Sequence, residues 1–173
     1  MNNEKQEVLI SWIDSNNAGI RKVYDDHVTA SKARLKSDTW LWDALLLSMA
    51  TYGSSAGAER LHSKPRPELA YGELVRRTVD QRKAVIEKHY REINGRYLGR
   101  KIECLSQAID VFERSGGLSA FQNKIRSLGS ADEKIQALLQ LKGIGEKYAR
   151  NIWMDVGDEH VINSIAIYSR IMN

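Results

Sequence analysis

Apolar positions along this chain recur with a helical period, and no strand-like alternation persists for more than a few residues. Val8, Leu9 and Trp12 fall at helical spacing, and Ile20, Tyr24 and Val28 share one stripe of a highly charged stretch ending at Arg34. The polar cluster Asp14–Gly19 between them predicts a turn. Trp40–Ala50 is the most apolar segment; Asp38 or Thr39 is the predicted cap, and Trp42, Leu45, Leu46 and Met49 face the same way. It breaks near Tyr52–Gly57. A loop from His62 to Pro67 holds both prolines, and Glu68–Tyr90 reads as one charged helical stretch. Arg76, Arg77, Arg82 and Lys83 form a basic face on it, read as a solvated surface. Gly95 and Gly99 punctuate the next turn. Arg100–Ser115 follows with Ile102, Leu105, Ile109 and Phe112 at helical spacing, stopped by Gly116 and Gly117. Leu118–Leu128 and Asp132–Leu141 are two shorter helices, the second with cap residues at Ser130–Glu133.

The pattern predicts an all-α fold with an N-terminal helical segment over residues 1–36 and a main domain over 37–173. The 173 residues suffice for one compact domain or two small lobes, with 42% hydrophobic and 28% charged residues. No apolar run approaches the length of a membrane span, and the first residues lack the pattern of a secretory signal. The expected location is therefore cytoplasmic, nucleoid-associated in a bacterium, or nuclear, with no membrane partner. Cys104 stands alone, which excludes an intrachain disulfide, a cysteine zinc site or a four-cysteine iron–sulfur cluster. His27, His62, His89 and His160 show no metal spacing, so neither metal nor cofactor is expected. The net charge of +4 permits a polyanion partner without demanding one.

The most specific stretch is Leu139-Gln140-Leu141-Lys142-Gly143-Ile144-Gly145-Glu146-Lys147-Tyr148-Ala149. An amphipathic helix is expected to end at Leu141, and a second to run from Glu146 to about Val156. Gly143 and Gly145 let the backbone take conformations closed to other residues and approach a ligand closely. The turn leads into a helix N-terminus, where unpaired N–H groups and the dipole favour an anion such as a phosphate. Ile144 is positioned to tuck between the helices, Ala149 to let them cross closely, and Lys142 and Lys147 to add positive charge.

On these residues the chain resembles the helix-hairpin-helix base-excision DNA glycosylases, the superfamily of endonuclease III and eukaryotic 8-oxoguanine glycosylase. Trp42–Thr51 resembles that family's early helix, and the order of elements from Arg100 to Ala149 follows the family's. The resemblance covers about Trp40 to Ile171. It implies a two-lobed helical glycosylase-like fold with one helix-hairpin-helix, acting as a monomer on double-stranded DNA that carries a damaged or modified base. The implied DNA-binding residues are Leu141, Lys142, Gly143, Ile144, Gly145, Lys147 and Arg170.

Lys147 matches the lysine of bifunctional members. It implies an amine that attacks C1′ of a flipped nucleotide, expels the base and forms a Schiff base. Tyr168 stands at the position of the family's catalytic aspartate. A tyrosine of ordinary pKa is neutral at pH 7 and supplies no negative charge to an oxocarbenium-like transition state. Three readings stand: a natural loss that leaves a DNA-binding or impaired protein, an introduced substitution, or a substitute acid among Asp155, Asp158 and Glu159. Met49 replaces a glutamine that fills the space of a flipped base, and is either an apolar wedge or a core residue. Family members continue beyond the point matching Asn173, so either the chain is a fragment or the N-terminal segment up to about Lys36 supplies the missing packing.

Overall fold

The computed structural model describes residues 33–158, His160 and Val161, with the separate positions 17, 19, 22, 26, 29 and 30. Among these residues every regular element is helical. Asn17 and Gly19, inside the expected turn, are helical. A polar cluster is a weak local preference that its neighbours override. From residue 40 the helices are α1 (Trp40–Thr51), α2 (Gly57–His62), a 3-10 turn (Pro67–Leu69), α3 (Tyr71–Leu74), α4 (Val79–Asn94), α5 (Leu98–Arg114), α6 (Leu118–Arg126), α7 (Ala131–Leu139) and α8 (Glu146–Asp155).

α1 is the centre of the molecule. Instead of one buried face it buries Trp40, Leu41, Trp42, Leu45, Leu46, Ser48, Met49 and Ala50, because α2, α4, α5 and α8 all pack against it. A helix wrapped this way cannot give its terminal backbone groups to water, so other elements must satisfy them. Neither expected cap does so. Thr39 makes no side-chain cap and its hydroxyl donates to Asp43 at 2.9 Å. Gln122 of α6, itself buried, takes the role: Leu41 N–H donates to its Oε1 at 3.0 Å, and its Nε2 donates to the Asp38 carbonyl at 3.0 Å. At the other end Asn94 Nδ2 donates to the carbonyls of Ala50 at 2.8 Å and Tyr52 at 3.0 Å.

The expected continuous helix over Glu68–Tyr90 is divided into the 3-10 turn, α3 and α4. Thr78 starts α4 with a reciprocal cap: its Oγ1 accepts from Gln81 N–H at 3.3 Å, and Gln81 Oε1 accepts from Thr78 N–H at 3.1 Å. Part of the expected solvated basic face is an inter-helix tie. Arg82 is buried and donates to Ser106 Oγ at 2.9 Å and to the Asp110 carboxylate, while Lys83 donates to Glu103 at 2.6 Å, pinning α4 to α5. α7 and α8 begin where the sequence expects, and Ser130 Oγ accepts the Glu133 N–H at 3.3 Å. On the other side of the core, the Leu35 carbonyl accepts from Arg126 of α6.

Lys101 of α5 is 0% exposed, and its Nζ donates to the carbonyl of Asn94, the last residue of α4, at 2.9 Å. Loss of hydration pushes its pKa down to about 8. The unfolded chain therefore holds a proton on Lys101 that the folded chain has released between pH 8 and the ordinary lysine range. Stability attributable to this residue rises with pH through that window. Because the raised Cys104 thiol acts in the opposite sense in the same window, the difference in urea stability between the parent and Lys101→Met is the readout, and it is expected to shift in the parent's favour from pH 7.5 to 9.5.

Candidate functional site

The turn over residues 140–145 joins α7 to α8. It is closed by Leu141 N–H to the Leu138 carbonyl and Ile144 N–H to the Leu141 carbonyl, each 3.0 Å. Leu141 and Ile144 are buried and hold the turn to the core, while Ala149, 0% exposed, lies at the first α8 amide bonded back to Gly145, at 2.9 Å. Between these anchors Lys142, Gly145, Glu146 and Lys147 are exposed.

The two glycines differ. Gly143 has φ +84°, a backbone region that L side chains rarely adopt, and a Cβ there would meet Cys104 Sγ at 2.3 Å. Gly145 has φ −96° and ψ 175°, extended backbone open to any residue, and a Cβ there would meet nothing within 4 Å. The expectation that both glycines need special backbone angles is thus corrected. Gly143 is required by packing on α5; Gly145 leaves open space in front of the first turn of α8. Leu139, rather than Leu141, ends the first helix, because Leu141 turns inward to anchor the loop.

Cys104 is the floor of the turn. Burial pushes its thiol pKa up, and the charges of Arg100 and Lys142 pull it partly back. The thiol is thus a small packing group under Gly143. Lys142 also acts on Glu103, whose carboxyl is held below its ordinary value first by the hydrogen bond from Lys83. The positive charges beside the turn are therefore Arg100, Lys142 and Lys147, with Glu146 the acidic residue in the first turn of α8.

Lys147 is the second residue of α8, with Nζ 5.3 Å from the Tyr148 ring centroid. Tyr148 meets Tyr52 edge-on at 6.5 Å between centroids, and Tyr52 meets Tyr97 at 5.2 Å. The guanidinium of Arg100 lies 5.6 Å from the Tyr52 ring centroid. The sequence reading missed this group entirely. Its members come from the end of α1, the start of α5 and the start of α8. The only local signal was an aromatic residue in two glycine-containing turns and another in the first turn of the helix after the third.

Met49 is 2% exposed and sits below the turn, its Cε 3.8 Å from where a Gly143 Cβ would stand. Of the two alternatives for this residue, the packing is that of a core residue. Tyr168, Arg170 and Glu159 lie outside the described residues. Asp155 is exposed at the far end of α8 from Lys147. Asp158 is buried and takes Lys134 Nζ at 2.5 Å, with Oδ1 accepting the His160 N–H at 3.1 Å. A carboxylate so engaged is a structural partner of α7. A cavity of about 250 Å³ lined by Arg34, Trp40, Asp43, His62 and Asp155 also lies at that far end.

No protein-family model, no curated protein and no solved structure matches the chain.

Proposed function

We propose that this protein binds DNA through the turn between α7 and α8, as a helix-hairpin-helix, and removes a damaged or modified base. The single observation that supports this most is the pairing of an inwardly locked turn with an outwardly open helix start. Gly143 is seated on Cys104, while Gly145 leaves space in front of the first turn of α8, flanked by Lys142 and Lys147. A phosphate oxygen fits that position, and charge-assisted hydrogen bonds to backbone N–H groups need no base contact. The two-lobed glycosylase-like fold belongs to this proposal and rests on the sequence resemblance.

In this reading Lys147 stands one helical residue beyond the phosphate position. Lys147 Nζ attacks C1′ of a flipped nucleotide, the C1′–N glycosidic bond breaks with its electron pair leaving on the base, which takes up one proton released by the amine, and the nitrogen lone pair then opens the C1′–O4′ bond, O4′ taking the second proton and leaving a Schiff base. Borohydride trapping on duplex DNA carrying an abasic site or a damaged base tests the step. A covalent adduct is expected with the protein as it stands and none with Lys147→Ala; identical behaviour of the two would sink the lyase role. Gly145→Val is expected to weaken duplex binding about tenfold, the size of one charge-assisted hydrogen bond, while leaving the far-ultraviolet circular dichroism unchanged.

A second reading is favoured by Tyr168, which supplies no carboxylate at the family's aspartate position. The protein then binds duplex DNA in a salt-sensitive way and releases no base. Excision activity gained on Tyr168→Asp, and absent before, selects this reading; excision by the unaltered protein rejects it.

A further inference from the structure

We propose that Tyr97 is a stacking platform for an unpaired base, buttressed by Tyr52 and Tyr148, and that the surface beside the turn binds single-stranded DNA. The proposal rests on the reading of the turn as a DNA-facing surface and extends it to a second form of DNA.

Tyr97 is 59% exposed and is the most exposed large hydrophobic side chain among the described residues. It also has φ +55° and ψ 32°, a left-handed backbone conformation that is an outlier for a bulky residue. Burial offsets little of that strain, since the residue as a whole is mostly exposed. Strain of this kind, held by the surrounding structure, marks a position where a side chain is presented rather than packed.

The surroundings hold the ring firmly from behind. One ring edge lies over Gly53, where an added Cβ would come within 2.9 Å of Tyr97 Cε2, and Arg96 Nη1 donates to the Gly53 carbonyl at 2.9 Å. Tyr52 packs against Tyr97 with rings tilted by 47°, and Tyr148 closes the row at the start of α8. The outer part of Tyr97 is left open to a planar partner.

The charges suit a nucleic-acid strand. Arg96 and Arg100 are exposed on the Tyr97 side, and Lys142 and Lys147 on the turn side. Arg100 joins the two halves, since it lies over Tyr52 and its charge acts on the Cys104 thiol beneath Gly143. The nearby Glu103 is engaged by Lys83. Aromatic faces alternating with cations are what single-strand binding requires: rings accept bases of any sequence, and cations track the phosphates.

The test is fluorescence anisotropy at low salt with a fluorescein-labelled oligothymidine strand and a labelled duplex of equal length. The full chain is expected to bind both. Tyr97→Asn keeps a residue that tolerates left-handed backbone, so the turn is retained while the ring is lost. It is expected to weaken single-strand binding about tenfold, to change duplex binding less than threefold, and to leave the salt dependence of both unaltered. Tyr97→Trp is expected to retain single-strand binding. Duplex binding without single-strand binding, equal losses on both forms with Tyr97→Asn, or loss on Tyr97→Trp would each overturn the platform. Duplex binding indifferent to Gly145→Val, with single-strand binding still dependent on Tyr97, would overturn the turn as the duplex site and leave the platform standing. No binding to either form overturns both.

Discussion

Gly143→Ala is expected to lower the stability of the fold by about 2–5 kcal/mol, combining the cost of a positive φ in an L-residue with overpacking against α5. The clash is specific. A methyl group at this position would lie 2.3 Å from Cys104 Sγ and 3.3 Å from Cys104 Cβ, so α5 or the turn must move. For a domain of this size the loss corresponds to a fall in melting temperature of roughly 4–20 °C. Two comparisons separate the contributions. In a Cys104→Ala background the sulfur is gone and the backbone term remains with the milder 3.3 Å contact to Cβ, so the two substitutions should couple by at least about 1 kcal/mol. Gly145→Ala meets no neighbour and is expected to cost less than about 1 kcal/mol, the range of a helix-start substitution. Equal losses at the two glycines would refute the assignment of one to packing and the other to access. Thermal unfolding of the four variants is sufficient.

Asp158→Ala is expected to cost about 3–5 kcal/mol, because it strands the Lys134 ammonium in the core. The pair is almost sealed: side-chain exposure is 3% for Lys134 and 7% for Asp158. Lys134 Nζ also lies 3.1 Å from His160 Nδ1 and 5.2 Å from the Trp153 ring centroid, and the Lys134 carbonyl accepts the Trp153 indole N–H at 3.0 Å. These contacts bind α7, α8 and the chain after α8 into one unit, so the α7–turn–α8 hairpin is stiffened from the side opposite the turn. The damage comes from the unpaired charge, so removing both charges should restore most of the loss. Lys134→Met combined with Asp158→Leu is expected to come within about 1–2 kcal/mol of the parent in urea unfolding. A double variant as weak as the single one would show that the geometry of the pair, not the stranded charge, holds the hairpin.

Several boundaries were legible because the signals are local. Gly116 and Gly117 end α5, Ser130 caps α7, and the two-glycine turn separates α7 from α8; each depends on residues a few positions apart. The break before α4 was equally local. Thr78-Val79-Asp80-Gln81 carries the reciprocal-cap pattern, yet the charged surroundings conceal it in a reading that follows apolar spacing. The Gln122 cap on α1 was not legible, since its two ends are 81 residues apart in the chain. The same holds for the floor of the turn. Cys104 informs a sequence reading only through its chemistry, whereas in the fold it matters as a small side chain that fits beneath a glycine.

By itself the sequence determined that the chain is helical, roughly where its helices start and stop, and that a tight two-glycine turn joins α7 to α8. Helical period, caps and glycine punctuation are interactions between near neighbours, so they are written into the order of residues. Only the tertiary structure decided that α1 buries more than one face, that Gly143 rather than Gly145 is sterically required, that Met49 lies beneath the turn, and that Tyr52, Tyr97 and Tyr148 form one row. Each of these depends on the approach of helices distant in sequence, and such approach is set by close packing of whole side-chain surfaces, which no local pattern encodes.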